Sequence, residues 1–144
     1  MMKRKGSAQW QGSVKEGKGS VSTPSGVLDH TQYSFSSRFA EGKGTNPEEL
    51  IAAAHAGCFS MSLSSQLGNA GFTADSIDTT ATVTVEKLED GFSFTQIHLE
   101  VLARIPKIDD ATFKKAAQAA KEGCPVSKVL KATITMDARL VEIA

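Results

Sequence analysis

Apolar and polar residues alternate with a period of two along several stretches of this chain. Over residues 76–86, Ile77, Ala81, Val83 and Val85 share one parity, while Asp78, Thr80, Thr82, Thr84 and Glu86 share the other. Ile97, Leu99, Val101, Ala103 and Ile105 form a second apolar row that Pro106 closes. Glu89-Asp90-Gly91 between the two rows is a hairpin signal. Near the end, Ile134, Met136, Ala138 and Leu140 alternate with Thr133, Thr135, Asp137 and Arg139. Successive side chains of a strand point to opposite faces, so each stretch reads as a strand with one buried face.

The first forty residues also read as strands joined by tight turns. Ala8, Trp10 and Gly12 alternate with Ser7, Gln9 and Gln11, and Gly17, Gly19 and Pro24-Ser25-Gly26 supply turn chemistry. Tyr33, Phe35 and Phe39 share one strand parity and Ser34, Ser36 and Arg38 the other, which points Arg38 away from the aromatic face. Glu41-Gly42-Lys43-Gly44 is a loop.

Helical signals separate the strands. Asn46 suits an N-cap, Pro47 the first helical position, and Glu48 and Glu49 the first turn. That helix extends to about Ala70, with Gly71 as its stop. Asp109 or Asp110 caps a second helix that runs to about Glu122, with Phe113, Ala116, Ala117 and Ala120 as its inner stripe. A short helix follows Pro125. The order predicts an α+β fold in which helices cover one face of mainly antiparallel sheets, with one domain over residues 1–144.

A chain of 144 residues is long enough to bury its own core without disulfide staples. Lys and Arg total 16, as do Asp and Glu, so the basic signature of a nucleic-acid binder is absent. The basic opening Met-Met-Lys-Arg-Lys-Gly leads into Ser, Ala, Gln and Trp rather than an apolar run, so no secretory signal is expected. No apolar stretch approaches the ~18 residues of a membrane span. The expected location is the cytoplasm, where thiols stay reduced.

The two cysteines then become the chemical lead. Cys58 lies in the small-residue helix Ile-Ala-Ala-Ala-His-Ala-Gly-Cys-Phe-Ser, and Cys124 lies in Glu-Gly-Cys-Pro-Val-Ser. A peroxide-reducing cysteine needs its thiolate, a guanidinium that stabilises the anion, a carboxylate that fixes the guanidinium, and a second thiol that traps the sulfenic acid. Cys58, Cys124, Arg38 and either Glu48 or Glu49 are available for these roles. Spacing leaves the order of the thiols open, because a cysteine at a helix N-terminus is the more acidic, and that describes Cys124.

Glu48 and Cys58 are ten positions apart in one predicted helix, about 15 Å along its axis. If both serve one site, the carboxylate comes from a second chain. Ala52, Ala53, Ala54, Ala56 and Gly57 are small enough for two such helices to cross closely, which predicts a two-fold dimer with shared sites.

Plainer roles fit the same residues. A free cysteine is often a small core hydrophobe, first-turn glutamates complement a helix dipole, and Arg38 suits a solvated strand position. His55 and Cys58 have i, i+3 spacing, but His30, His98 and Cys124 complete no recognised ligand pattern, so no metal is expected.

These segments resemble the osmotically inducible protein C and organic hydroperoxide resistance (OsmC/Ohr) family, most closely its OsmC branch. The resemblance is carried by residues 17–23, the Ser-Arg-Phe around Arg38, residues 44–61 including Asn-Pro-Glu-Glu and the helical Cys58, residues 76–81, and Gly-Cys-Pro-Val-Ser-Lys-Val-Leu-Lys-Ala at 123–132. It implies a thiol-dependent peroxidase that reduces organic hydroperoxides, and hydrogen peroxide less well, in oxidative or osmotic stress defence. It further implies Cys58 as the peroxidatic thiol and Cys124 as the resolving one. Arg38 would stabilise the thiolate, and Glu48 would be its partner carboxylate. An OsmC-like fold, an intertwined homodimer, no cofactor, and a dithiol reductant such as a lipoyl protein are also implied. Phe59 and Met61, beside Cys58, are expected either to line an apolar pocket for a lipid-like peroxide or to pack in the core. Two other classes compete: a thiol redox sensor or small-ligand binder on the same fold, and a structural stress protein with inert cysteines.

Overall fold

Trp10, Gly19 and Tyr33 form one row across a small antiparallel sheet in the N-terminal region. In the computed structural model, which describes residues 1–143, this sheet comprises β1 (Ser7–Gln11), β2 (Lys18–Ser22) and β3 (Thr31–Tyr33) in that order. Position 144, the last of the expected domain, lies outside the described residues. The Trp10 and Tyr33 rings are 5.5 Å apart and tilted against each other. A Cβ on Gly19 would run into both rings, so the pair meets only because position 19 has no side chain. The β2–β3 connection turns through Pro24-Ser25-Gly26, where Gly26 adopts φ +80° and donates to the Thr23 carbonyl at 3.0 Å.

The segment after Tyr33 does not continue as a strand. Residues Phe35–Phe39 form a short helix, α1, because serines that alternate like strand positions instead cap its start. The Ser37 N–H donates to Ser34 Oγ at 3.1 Å and the Ser34 N–H donates to Ser37 Oγ at 2.8 Å, a reciprocal capping box. Helical spacing brings the Phe35 and Phe39 rings to 5.1 Å. It also overturns the expectation that Arg38 points away from the aromatics, since its guanidinium lies 5.0 Å from the Phe39 ring centre.

The long helix α2 (Pro47–Asn69) starts where its cap signals put it. Asn46 Oδ1 accepts the Glu49 N–H at 2.7 Å, and Pro47 fills a position whose N–H would have no helical partner. It ends in a Schellman turn: Gly71 takes φ +87°, its N–H reaches the Gly68 carbonyl at 3.1 Å, and the Phe72 N–H reaches the Leu67 carbonyl at 2.9 Å.

Contacts divide the chain into two compact units, one from Met1 to Leu50 and one from Ile51 onward. In the second unit β4 (Ser76–Leu88) and β5 (Gly91–Arg104) form a long hairpin, closed by Glu89-Asp90 with Gly91 at φ +121°. The chain then passes through α3 (Asp110–Gly123) and α4 (Pro125–Val129) to β6 (Thr133–Leu140). Asp109 is the cap of α3, its Oδ2 accepting the Thr112 N–H at 3.0 Å. The sheet order is β4-β5-β6. β6 lies parallel to β5, with Ile97 opposite Ile134, because the intervening helices return the chain before it pairs. The other strand pairs in the described residues are antiparallel.

The core of this unit follows the two periodicities. Ile97, Leu99, Val101 and Ala103 are buried while Glu100, Leu102 and Arg104 on the other parity are exposed. The inner stripe of α3 is Phe113, Ala116, Ala117 and Ala120, as the spacing predicts, and α2 adds Phe59, Leu63 and Leu67. Burying each large apolar side chain of this set stabilises the fold by about 1.5–3 kcal/mol.

Candidate active site

Cys124 is the hinge residue between α3 and α4, and both helices hold its backbone. Its N–H donates to the Ala120 carbonyl at 2.9 Å, and its carbonyl accepts the Lys128 N–H at 3.1 Å. Pro125 cannot continue the first helix and suits the first position of the second. The side chain at this corner is completely buried. Its Sγ lies 2.8 Å from Sγ of Cys58 on α2, and both thiols are free. The two sulfurs are thus short of the ~2.05 Å of a disulfide bond by less than an atomic radius. Cys58 is half-buried, so of the two cysteines it is the one that keeps exposed surface.

Burial pushes the Cys58 thiol above its ordinary pKa, and the side-chain hydrogen bond with Cys124 pushes it further; the backbone N–H of Val126 acts in the opposite direction. Within this unit, then, the balance favours the neutral thiol.

In the first unit, Arg38 is held by a carboxylate. Arg38 Nη2 donates to Glu48 Oε1 at 2.6 Å, and Arg38 Nε donates to the same oxygen at 3.1 Å. The arginine side chain is a third exposed and the glutamate 12% exposed, so the pair is partly shielded from water. Glu49 is occupied elsewhere, accepting from Thr45 Oγ1 at 3.0 Å and Asn46 Nδ2 at 3.3 Å. Glu48 thus holds the arginine, while Glu49 serves the helix start. Trp10, Tyr33, Phe35 and Phe39 line a cleft of about 270 Å³ together with Arg38. The four expected site residues therefore form two close pairs, Cys58 with Cys124 in one unit and Arg38 with Glu48 in the other.

Residues 40–139 match the family model described as OsmC-like protein. The chain belongs to the OsmC-like family. It is 58% identical to "Peroxiredoxin OsmC" of Escherichia coli (strain K12) over 137 residues, which covers 95% of this chain and 96% of that protein. It is 34% identical to "Organic hydroperoxide resistance protein-like" of Staphylococcus aureus (strain bovine RF122 / ET3-1) over 99 residues, 68% of this chain and 70% of that one. Its fold matches the solved structure of an OsmC-like protein of unknown function from Vibrio cholerae with a TM-score of 0.77, at 15% identity, covering 96% of this chain and all of that one.

Around the thiols of this OsmC-like chain, the two residues expected either to line a pocket or to pack in the core take different places. Phe59 is a core residue with no exposed surface, so it does not line a pocket, whereas Met61 is 78% exposed. One contact escaped the sequence reading altogether: His55 Nε2 lies 2.8 Å from Ser127 Oγ, and both side chains are buried. The available signal was positional, His55 standing three residues before Cys58 and Ser127 three after Cys124.

Proposed function

We propose that this protein is a cysteine-based peroxidase that reduces organic hydroperoxides, and hydrogen peroxide less well, as part of oxidative or osmotic stress defence. The observation that carries the reading is the 2.8 Å approach of the two free sulfurs. The names of its relatives, a peroxiredoxin and an organic hydroperoxide resistance protein, support it.

In the proposed cycle the Cys58 thiolate attacks the outer peroxide oxygen. The O–O bond breaks, Cys58 keeps the transferred hydroxyl as a sulfenic acid, and the leaving alkoxide takes up the proton the thiol had given up to become the alcohol. The Cys124 sulfur then attacks the Cys58 sulfur, the S–O bond breaks, and water leaves as the disulfide forms. A dithiol reductant, such as a lipoyl protein, reopens the disulfide by exchange and is itself oxidised. Cys58 is assigned the first role because it keeps exposed surface and Cys124 keeps none.

Arg38 is the proposed stabiliser of the thiolate and Glu48 its anchor. The helical separation of Glu48 from Cys58 argues that the anchor reaches the thiol from a second subunit. Because Arg38 and Glu48 are paired within one chain, a partner subunit would supply both together. The working form on this reading is an intertwined homodimer in the cytoplasm, with both compact units of each chain acting as one peroxidase domain. No helix of the described residues is long and apolar enough to cross a membrane.

A stoichiometric peroxide pulse on the wild type, Cys58→Ser and Cys124→Ser tests these roles. The wild type should lose two thiols per chain, Cys58→Ser should not react, and Cys124→Ser should react once and then stall or over-oxidise. Steady consumption of peroxide with an added dithiol separates an enzyme from a sensor. Identical behaviour of the two serine variants would refute the assignment.

A further inference from the structure

His55 is one helical turn before Cys58 on α2, and Ser127 is three residues after Cys124 in α4. The two segments therefore meet twice in one antiparallel register, at the sulfurs and at the His55–Ser127 contact, each at 2.8 Å. Only one of these contacts survives chemistry at sulfur unchanged. α4 has five residues, too few to be held by helix formation itself. What holds it beside α2 must be its side chains and the Val126 N–H, which bonds to the Cys58 sulfur and is disturbed when that sulfur gains oxygen.

His55 is anomalous on its own helix face. The buried stripe of α2 is His55, Phe59, Leu63 and Leu67, so an imidazole occupies a position its neighbours fill with hydrocarbon. The ring has no exposed surface, and Nδ1 has no partner among the described residues. A half-satisfied polar group in a core is a net cost in packing terms. The single bond to Ser127 is the one thing His55 supplies that leucine does not.

We infer that the His55–Ser127 hydrogen bond is a clasp that positions Cys124 for the resolving step, keeping α4 against α2 while Cys58 is a sulfenic acid. This rests on the peroxidase reading above. The step it serves is the condensation of Cys58–SOH with Cys124–SH, in which an S–S bond forms, the S–O bond breaks, and the thiol proton leaves with the hydroxyl as water. The clasp takes no part in that exchange of bonds. Its effect is to keep the second sulfur at high effective concentration, so His55 and Ser127 are positioning residues.

The test uses the full chain with His55→Leu, Ser127→Ala and Ser127→Thr. A rapid pulse of cumene hydroperoxide, quenched and read by mass, gives the rates of sulfenic acid formation and of disulfide closure. Losing the one bond should lower the ratio of closure to attack by about tenfold or more in His55→Leu and Ser127→Ala, with sulfinic acid accumulating at excess peroxide. Ser127→Thr should restore the ratio. His55→Leu matches its stripe and relieves the half-satisfied ring but strands the Ser127 hydroxyl, so its melting temperature should stay within a few degrees of the wild type's, which separates positioning from a loss of fold. In dithiothreitol redox buffers, without peroxide, the same two variants should move the disulfide midpoint by about 30 mV toward easier reduction for each tenfold loss. That arm reads the clasp even if the wild type consumes no peroxide, so failure of the peroxidase reading and failure of the clasp are distinguishable. An unchanged closure ratio and midpoint in folded His55→Leu overturns the inference, as does failure of threonine to rescue.

Discussion

Glu48 takes both Nε and Nη2 of Arg38 on one carboxylate oxygen, while Glu49, its neighbour in sequence, turns to Thr45 and Asn46. Adjacent residues at the start of a helix point in directions about 100° apart, and that rotation alone divides two like side chains between an arginine and a cap.

The division predicts opposite phenotypes. Glu48→Gln keeps the shape and one acceptor but removes the charge that fixes the guanidinium. The second-order rate constant with an organic hydroperoxide should fall by about 10- to 100-fold, equivalent to roughly 1.4–2.7 kcal/mol of transition-state stabilisation. Stability should change by no more than about 1 kcal/mol, since the pair is partly solvated. Glu49→Gln should keep the rate while loosening the start of α2. Peroxide kinetics and thermal melts on the two variants check this, and a Glu48→Gln rate equal to the wild type's would remove Glu48 from the site.

The proposed crossing of two α2 helices gives Gly57 a measurable role. A Cβ added there meets nothing within 4 Å in the single chain. Alanine in a helix is also better than glycine by up to about 1 kcal/mol. Gly57→Ala should therefore stabilise the isolated subunit and, by spacing the helices apart, weaken the dimer by about tenfold or more, as small-to-large changes in packed contacts do. Sedimentation velocity across a dilution series measures the second effect. Dimerisation as tight as the wild type's would exclude a close crossing at this residue.

Removing Cys124 should make Cys58 more acidic. After burial, the hydrogen bond with Cys124 is the next cause of the raised Cys58 pKa, and the charge of Cys124 adds to it, while the Val126 N–H remains to favour the thiolate. Cys124→Ala deletes two of the raising causes. Thiolate absorbance or the rate of alkylation against pH should place the Cys58 titration lower in Cys124→Ala than in the reduced wild type. A titration that stays put or moves up would contradict the electrostatics described for the pair.

Regular periodicity made most of the second unit legible in the sequence. The caps at Asn46 and Asp109, the Gly71 stop, the α3 stripe and the strand parities all depend on local chemistry, and the structure has them where the residues indicate. The segment 34–39 was misread because serine is ambiguous: in alternation it resembles a solvent-facing strand residue, and three apart it caps a helix. Thiol chemistry was legible in the types of residue present, whereas the His55–Ser127 contact joins positions 72 apart and leaves no local trace. The parallel return of β6 was equally hidden, since strand direction is set by the connection and not by the strand's own pattern.

Acid should weaken the fold through His55. Burial holds its pKa below the ordinary 6.5, so the folded chain resists a proton that the unfolded chain accepts. Well above pH 6.5 neither state is protonated and the contribution of His55 is complete. As pH falls below that value the unfolded state binds more protons, and stability declines by up to about 1.4 kcal/mol per pH unit until the folded histidine is also protonated. Asp109 acts in a separate, lower window: the Thr112 hydroxyl and then its N–H hold the carboxyl below its ordinary 3.8, so its contribution is kept above that pH. Urea unfolding of the reduced protein at pH 7.5, 6 and 5 thus isolates the histidine. His55→Leu, which has no proton to bind there, should lose stability less steeply over this range than the wild type. Parallel curves for the two proteins would mean that the imidazole is hydrated enough to titrate normally, and that its burial does not govern the acid limit of the fold.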